Sequence, residues 1–183
     1  MATAEQTLSW VKDLFENGGC YEREHEVDEN ENAILTEMSL QNKLKSTKIL
    51  IECHEVYISV RAHVNICVDE ERRQSVAEYI TRVNSENPFC SINMILDNGA
   101  IWSQTALICQ GMVEFPLEAF IRTFYSTANM LERYGDGLLE VMFGIKSPEE
   151  VIDDIWSESG CCCGHDHEDI DCPSTPVNDA YSY

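Results

Sequence analysis

The sequence predicts a two-layer α+β fold, in which an antiparallel sheet of about five strands carries helices on one face. Residues 56–68, VYISVRAHVNICV, alternate between apolar and polar side chains. That pattern is typical of a strand in a sheet that is covered on one side only. Asn98-Gly99 separates two further strand-like runs and predicts a hairpin. Helical periodicity on both sides of these runs assigns the helices to a separate layer.

The first element is a short amphipathic helix. Thr3 followed by Gln6 is a capping-box pattern, and apolar residues recur at helical spacing until Gly18-Gly19. Residues 22–32 then crowd acidic side chains around His25 with little apolar content, so we expect a solvated loop. A divalent cation at His25 is the alternative, but no ligand spacing supports it.

Three strands follow. Residues 33–40, AILTEMSL, and 47–53, TKILIEC, are separated by a polar stretch and predict the first two. The alternating stretch 56–68 is the third, and we expect one of its sides to face the helices and the other to stay uncovered. The first side comprises Val56, Ile58, Val60, Ala62, Val64, Ile66 and Val68, and the second Tyr57, Ser59, Arg61, His63, Asn65 and Cys67.

A second helix and a hairpin come next. Asp69 is placed to cap this helix, which carries an apolar stripe and ends near Asn84. Residues 89–97 and 100–110 flank the Asn-Gly pair and predict two more antiparallel strands.

The remaining periodic segments predict two helices. A long one follows Pro116, and we expect Gly135-Asp136-Gly137 to kink or break it, since each glycine costs roughly 1 kcal/mol relative to alanine. Ser147 to Glu150 then form a capping box for a short helix that runs to about Trp156. We therefore expect one domain over residues 1–158, followed by a disordered tail over 159–183.

The order of these elements resembles the YbjN family, whose fold is similar to that of the type III secretion chaperones. The resemblance covers about residues 5–156 and depends on RQSVAEYITRVNSENPF and FCSINMILDNGAIWSQTALI. In that family a helix that ends in asparagine leads to a strand, a D-x-G hairpin and a second strand. The matching positions here are Asn84, Phe89, Asp97, Asn98 and Gly99.

The resemblance implies a small acidic protein, usually dimeric, that holds a partner polypeptide without consuming ATP. It implies no catalytic residues. Two features depart from the family pattern: the acidic stretch 22–32 and the Cys/His-containing tail.

The charge balance limits the classes of partner. The chain has 33 acidic and 12 basic residues, a formal charge of -21, which disfavours nucleic-acid and membrane-surface binding. A sequence with neither a signal-peptide pattern nor a run of 18 apolar residues is expected in the cytoplasm. In that reducing compartment, the cysteines of the predicted strands are expected to be buried or half-buried hydrophobes: Cys53, Cys67, Cys90 and Cys109.

We expect no enzymatic activity. The sequence has no G-x-S-x-G, Walker loop, G-x-G-x-x-G or H-E-x-x-H motif. His54 and His63 could each join a Cys–His pair, but a surface histidine is the simpler interpretation.

The polar side of 56–68 is the candidate partner site. A partner could lie across it or add a strand at its edge, with Tyr57, Arg61 and His63 supplying selectivity. The partner would be another protein or a second copy of the chain, and Trp102 would lie either in the core or at the interface of a homodimer. The alternative is a solvated face that binds nothing.

The tail supports a second hypothesis, a metal-handling accessory protein. Thiols and imidazoles together favour zinc, copper or nickel. Against this, three consecutive cysteines converge poorly on one ion, and nearby carboxylates disfavour the thiolate. The other interpretations are a tail with a redox or storage role and a chance composition without function. The candidate ligands are Cys161, Cys162, Cys163, His165, His167 and Cys172.

Overall fold

The computed structural model describes residues 2–158, and in that range it contains four α-helices and six β-strands. The helices are α1 (Ala4–Asn17), α2 (Arg73–Ser85), α3 (Leu117–Met142) and α4 (Pro148–Glu158). The strands are β1 (His25–Asp28), β2 (Ala33–Ser39), β3 (Ser46–Cys53), β4 (Tyr57–His63), β5 (Ser91–Met94) and β6 (Ile101–Ile108).

The strands form one antiparallel sheet in the order β1-β2-β3-β4-β6-β5. α1 packs on β2 and β3, α3 on β4 and β6, and α2 on β5 and α3. On the helical side one row of directly opposed residues crosses the sheet, and all of its members are buried: Thr36, Ile49, Ala62, Ser103 and Ile92. The structure thus confirms the two-layer α+β fold. None of the described helices is both long and apolar enough to cross a membrane.

The acidic stretch 22–32 contains a strand that the sequence prediction missed. β1 pairs with β2, and His25 and Val27 are half-buried while Glu26 and Asp28 are exposed. The solvated-loop prediction was wrong because the charges occupy only one side of an alternating segment. Val27 on the other side packs against the core and holds the strand in place.

The long helix α3 continues without a break through Gly135 and Gly137. A Cβ atom at Gly135 would collide with Asn42 and Leu44 of the β2–β3 loop, and one at Gly137 would lie 2.8 Å from the Tyr79 hydroxyl. The predicted kink is absent because both glycines are buried where neighbouring elements approach α3 closely. This packing offsets the low helix propensity of glycine.

β4 is shorter than the predicted strand. It ends at His63, and the chain then continues irregularly, with the Val68 N–H donating to the Gly99 carbonyl at 2.9 Å. Val64 and Val68 remain buried, but Val56 and Ile66 are each 42% exposed, so the predicted apolar side ends with the strand.

The predicted capping box is confirmed in full at α4, whereas at α1 the described residues form only its N-cap hydrogen bond. The Gln6 N–H donates to Thr3 Oγ1 at 3.2 Å, and Ser147 and Glu150 each accept the other's backbone N–H through their side chains. Asp69 is different, because it precedes a short 3₁₀ turn before α2 and its side chain accepts no capping hydrogen bond.

Candidate partner-binding face of the sheet

The helices cover one side of the sheet, and within the described range no helix or strand covers the other. Directly opposed residues of antiparallel strands project to the same side, so the strand register defines this second side, which we call the open face. It comprises Glu26, Asp28, Ala33, Leu35, Glu37, Ser39, Ser46, Lys48, Leu50, Glu52, Tyr57, Ser59, Arg61, His63, Ser91, Asn93, Trp102, Gln104, Ala106 and Ile108.

The three predicted partner-binding residues occupy alternate positions on β4 and share this face. Tyr57 is 37% exposed and lies directly opposite Ile108 of β6. Arg61 and His63 are half-buried. The sequence reasoning thus identified binding residues on one strand of the face and extended the site to its neighbouring strands, but named no residue on them.

Arg61 is held by an ion pair within the sheet. Its Nη2 lies 2.8 Å from Glu52 Oε2 on β3, and Leu50 and Gln104 flank it on the neighbouring strands. The guanidinium is therefore fixed in position rather than free to sample solvent. A fixed, partly desolvated Arg is more selective toward a partner than a mobile one.

His63 lies beside Arg61 and packs against Trp102, with 6.3 Å between the ring centroids. Burial lowers the pKa of His63 from its ordinary value of 6.5, and the nearby Arg61 charge lowers it further, while Glu52 opposes the shift. The imidazole is therefore neutral at pH 7, with one nitrogen able to donate a hydrogen bond and the other able to accept one.

This shift predicts a pH dependence of stability. Because the folded protein holds a proton on His63 less tightly than the unfolded chain, the stabilising contribution of neutral His63 is fully present above about pH 6.5. It is lost as the pH falls through the lower pKa of the folded state. NMR titration should show His63 titrating below 6.5, and Arg61→Gln should raise its pKa. A pKa at or above 6.5 in the wild type would contradict the burial of this ring.

β6 contributes two apolar residues to the open face: Trp102, which the sequence placed either in the core or at an interface, and Ile108, which the sequence reasoning missed. Trp102 is half-buried there, not in the core, and its Nε1–H donates to Gln104 Oε1 at 3.1 Å. Ile108 is 59% exposed. No simple alternation marks this strand, because Ile101, Ser103, Thr105 and Leu107 on its helical side are also a mixture of apolar and polar residues.

β6 extends beyond its neighbour β5, which pairs only with Ile101 to Gln104. We call residues 105–108 the β6 overhang. The Val64 N–H donates to the Ile101 carbonyl, and the Cys109 N–H to the Val56 carbonyl, so the main-chain groups of odd-numbered β6 residues face β4. Those of Ala106 and Ile108 must then point away from β4, since bonding direction alternates along a strand.

In the described part of the chain no backbone partner pairs with these outward groups of Ala106 and Ile108. An open groove of about 350 Å³ lies beside Ala106, and Phe89, which lines it, is 86% exposed. Free main-chain groups next to exposed apolar side chains are the two requirements for the addition of a strand. The groove is lined by Asn87, Pro88, Phe89, Cys90, Ser91, Asn93, Gln104, Thr105 and Ala106.

The other side of β5 is already occupied. Asn84, at the end of α2, donates from Nδ2 to the Ile92 carbonyl and accepts the Ile92 N–H through Oδ1, both at 2.8 Å. The amide therefore takes the place of a neighbouring strand at this residue. A partner that extends the sheet here must bind beside β6, not beside Ile92.

The buried cysteines are poorly suited to act as nucleophiles. Burial raises the pKa of Cys53 to about 12 and also raises those of Cys90 and Cys109. These three are buried as predicted, whereas Cys67 lies exposed in the irregular segment after β4 and corrects the prediction of a buried or half-buried strand position.

Residues 2–158 contain no group of three or more His, Cys, Asp or Glu side chains that could hold a metal ion. The His25 ring instead packs against the Phe15 ring in a T-shaped arrangement, with 5.7 Å between the centroids. The metal-handling hypothesis depends on residues that lie outside the described range: Cys161, Cys162, Cys163, His165, His167 and Cys172.

Comparison with known proteins supports the fold. No protein-family model matches the sequence, and no curated protein matches it. Among solved structures, the crystal structure of YbjN from E. coli, a proposed transcription regulator, is similar with a TM-score of 0.51 and 13% sequence identity. The match covers 70% of this chain and 90% of that chain. At this identity the similarity concerns the fold alone, and the chain therefore has a YbjN-like fold.

Proposed function

We propose that this protein is a non-enzymatic interaction module of the YbjN type, which binds an extended segment of a partner polypeptide on its open face and along the β6 overhang. The observation that carries the proposal is the unpaired main chain of Ala106 and Ile108 beside the exposed ring of Phe89. A strand whose end extends beyond its neighbour and is flanked by large apolar side chains is suited to strand addition.

The two halves of the site have different roles. Main-chain hydrogen bonds along the overhang supply affinity for any extended segment, since they do not depend on the partner's side chains. Tyr57, Ile108 and Phe89 provide apolar area, and aromatic residues of this kind dominate binding energies at interfaces. Arg61 and His63, fixed by Glu52 and Trp102, select the partner's polar groups.

A second copy of the chain is one candidate partner. Two β6 overhangs related by a two-fold axis would pair antiparallel, since an isologous interface places the same strand of both copies side by side. The formal charge of -21 on each copy opposes this association, so the homodimer should be favoured by higher ionic strength.

Site-specific photo-crosslinking tests the proposal. The photoreactive residue benzoylphenylalanine replaces Phe89 at the groove, or Trp156 on α4, which is 50% exposed and lies in the helical layer. Crosslinks formed in cell extract, including any to a second copy, are expected from position 89 and not from position 156. Equal crosslinking from both positions would contradict the assignment of the site.

A triple variant provides the second readout. Tyr57→Ala, Arg61→Ala and His63→Ala together should remove most of the crosslinked product at position 89. Far-UV circular dichroism and thermal unfolding must first show that the variant is folded, because removal of Arg61 leaves the half-buried Glu52 without its ion pair. Unchanged product in a folded variant would exclude these residues from the interface.

A further inference from the structure

The opposite edge of the sheet, β1, also has unpaired main-chain groups. The Cys53 N–H donates to the Asn32 carbonyl, so even-numbered β2 residues bond to β3 and odd-numbered ones bond to β1. Ala33 and Leu35 are paired with Asp28 and Glu26. The main-chain groups of His25 and Val27 must therefore point away from the sheet, where no residue of the range 2–158 pairs with them.

This edge differs from the β5 edge in how it is protected. At β5 the Asn84 amide satisfies the outward groups of Ile92 directly. At β1 no side chain of the described residues bonds to the outward N–H and C=O of Val27. Val27 is instead flanked by exposed carboxylate side chains.

All the carboxylates of residues 22–31 are exposed, while the two basic side chains of this stretch face inward. The Arg23 guanidinium lies 4.6 Å from the ring centroid of Phe124 and 5.2 Å from that of Phe15. The His25 ring also packs on Phe15. The exposed carboxylates are Glu22, Glu24, Glu26, Asp28, Glu29 and Glu31.

Charged side chains on an edge strand protect it against the strands of unrelated proteins. This protection is selective, because carboxylates repel acidic segments and attract basic ones. Among the described residues, no cation on the outer surface of this edge compensates the carboxylates, because the Arg23 guanidinium stacks on the rings of Phe15 and Phe124. An added strand that carries Lys or Arg opposite Glu26 and Asp28 would complete both the hydrogen bonding and the charge pairing.

We propose that the β1 edge accepts a basic extended segment of another polypeptide as an additional strand of the sheet. Its Lys or Arg side chains lie on the open face opposite Glu26 and Asp28, and its alternate residues, which are β-branched, lie on the helical side next to His25 and Val27. This interface is separate from the β6 overhang, so either can exist without the other.

Fluorescence anisotropy with labelled peptides tests this on the full chain. The probe is a seven-residue peptide of alternating lysine and valine, and its controls are the glutamate–valine analogue and the same basic peptide with alternate amide nitrogens methylated. At low salt the basic probe is expected to bind at least about tenfold more tightly than either control. Its Kd should rise steeply with salt.

Two pairs of variants separate charge from main-chain bonding. Glu24→Lys with Glu26→Lys should weaken binding of the basic probe by at least about tenfold, since both carboxylates are exposed at this edge. Asp28 is retained, because its Oδ1 accepts the Asn30 and Glu31 N–H at 3.0 and 3.3 Å in the β1–β2 turn. Glu5→Lys with Asp13→Lys makes the same charge change at exposed positions on α1 and should have a much smaller effect. Val27→Pro removes the outward N–H, whereas Val27→Ala retains it, so only the proline variant should lose affinity.

The proposal is overturned if the methylated peptide binds as well as the unmethylated one, because the attraction would then be purely electrostatic. It is overturned equally if the α1 charge variant weakens binding as much as the β1 variant. Should circular dichroism show that Val27→Pro is unfolded, the comparison of charge variants and of methylated and unmethylated peptides decides the question alone.

Discussion

Gly99→Ala is expected to lower the free energy of unfolding by about 3–5 kcal/mol, among the largest effects of a single methyl group in this protein. Gly99 has φ +72, and a Cβ atom there would collide with the backbone carbonyl of Val68. The left-handed conformation alone costs a residue with a Cβ about 1–2 kcal/mol. The collision adds to this cost, because the Val68 backbone cannot rotate away and its N–H, also within 3 Å of the new Cβ atom, donates to the Gly99 carbonyl.

Gly111→Ala provides the matched control. Gly111 has φ +81, but apart from its two chain neighbours no described residue has a heavy atom within 4 Å of the point that a Cβ atom would occupy. We therefore expect a loss of only about 1–2 kcal/mol, the conformational cost alone. Urea denaturation of both variants measures the difference. Equal losses would show that the contact with Val68 does not constrain the hairpin.

The Asn-Gly pair predicted the hairpin from local sequence, and the hairpin is confirmed. What the local sequence does not contain is the partner of Gly99, since Val68 belongs to a different segment that passes the hairpin only in the folded sheet. The same applies to Gly135 and Gly137. Their low helix propensity predicted a break, whereas the space they provide for other elements became apparent only with the structure.

The open face was predictable where one strand has a covered and an uncovered side of different polarity. β4 meets this condition, so Tyr57, Arg61 and His63 were assigned correctly to one side. β6 does not, because Trp102 and Ile108 lie on the uncovered side. Apolar residues on an uncovered side carry no local signal that distinguishes a binding surface from a core.

β1 shows the opposite difficulty. Its exposed carboxylates dominate the composition of the stretch, so the charge content outweighs the alternation of His25 and Val27 with Glu26 and Asp28. Strand pairing here depends on β2, whose Thr36 hydroxyl donates to the Glu24 carbonyl at 2.7 Å. A hydrogen bond between two separate segments cannot be predicted from the pattern of either segment alone.

Asn84→Ala is expected to destabilise the protein by about 2–4 kcal/mol, since it leaves both the N–H and the C=O of Ile92 without a partner. The Ile92 side chain is fully buried, so the strand cannot move outward to find water without exposing it. Asn93→Ala is the control. Among residues 2–158 its side chain donates to the Ser91 hydroxyl alone, on the open face, and we expect a loss below about 1 kcal/mol.

Asn84→Ala should also increase self-association of the protein. Without the Asn84 amide, β5 becomes an edge strand with free main-chain groups, and its residues Ser91 to Met94 carry no charge that would repel another strand. Sedimentation velocity should therefore show larger species for Asn84→Ala than for Asn93→Ala, increasing with protein and salt concentration. If both variants sediment alike and lose equal stability, the Asn84 amide does not protect the β5 edge. The two edges of the sheet would then not differ in the way that we infer, with β5 protected by hydrogen bonds and β1 by exposed carboxylates.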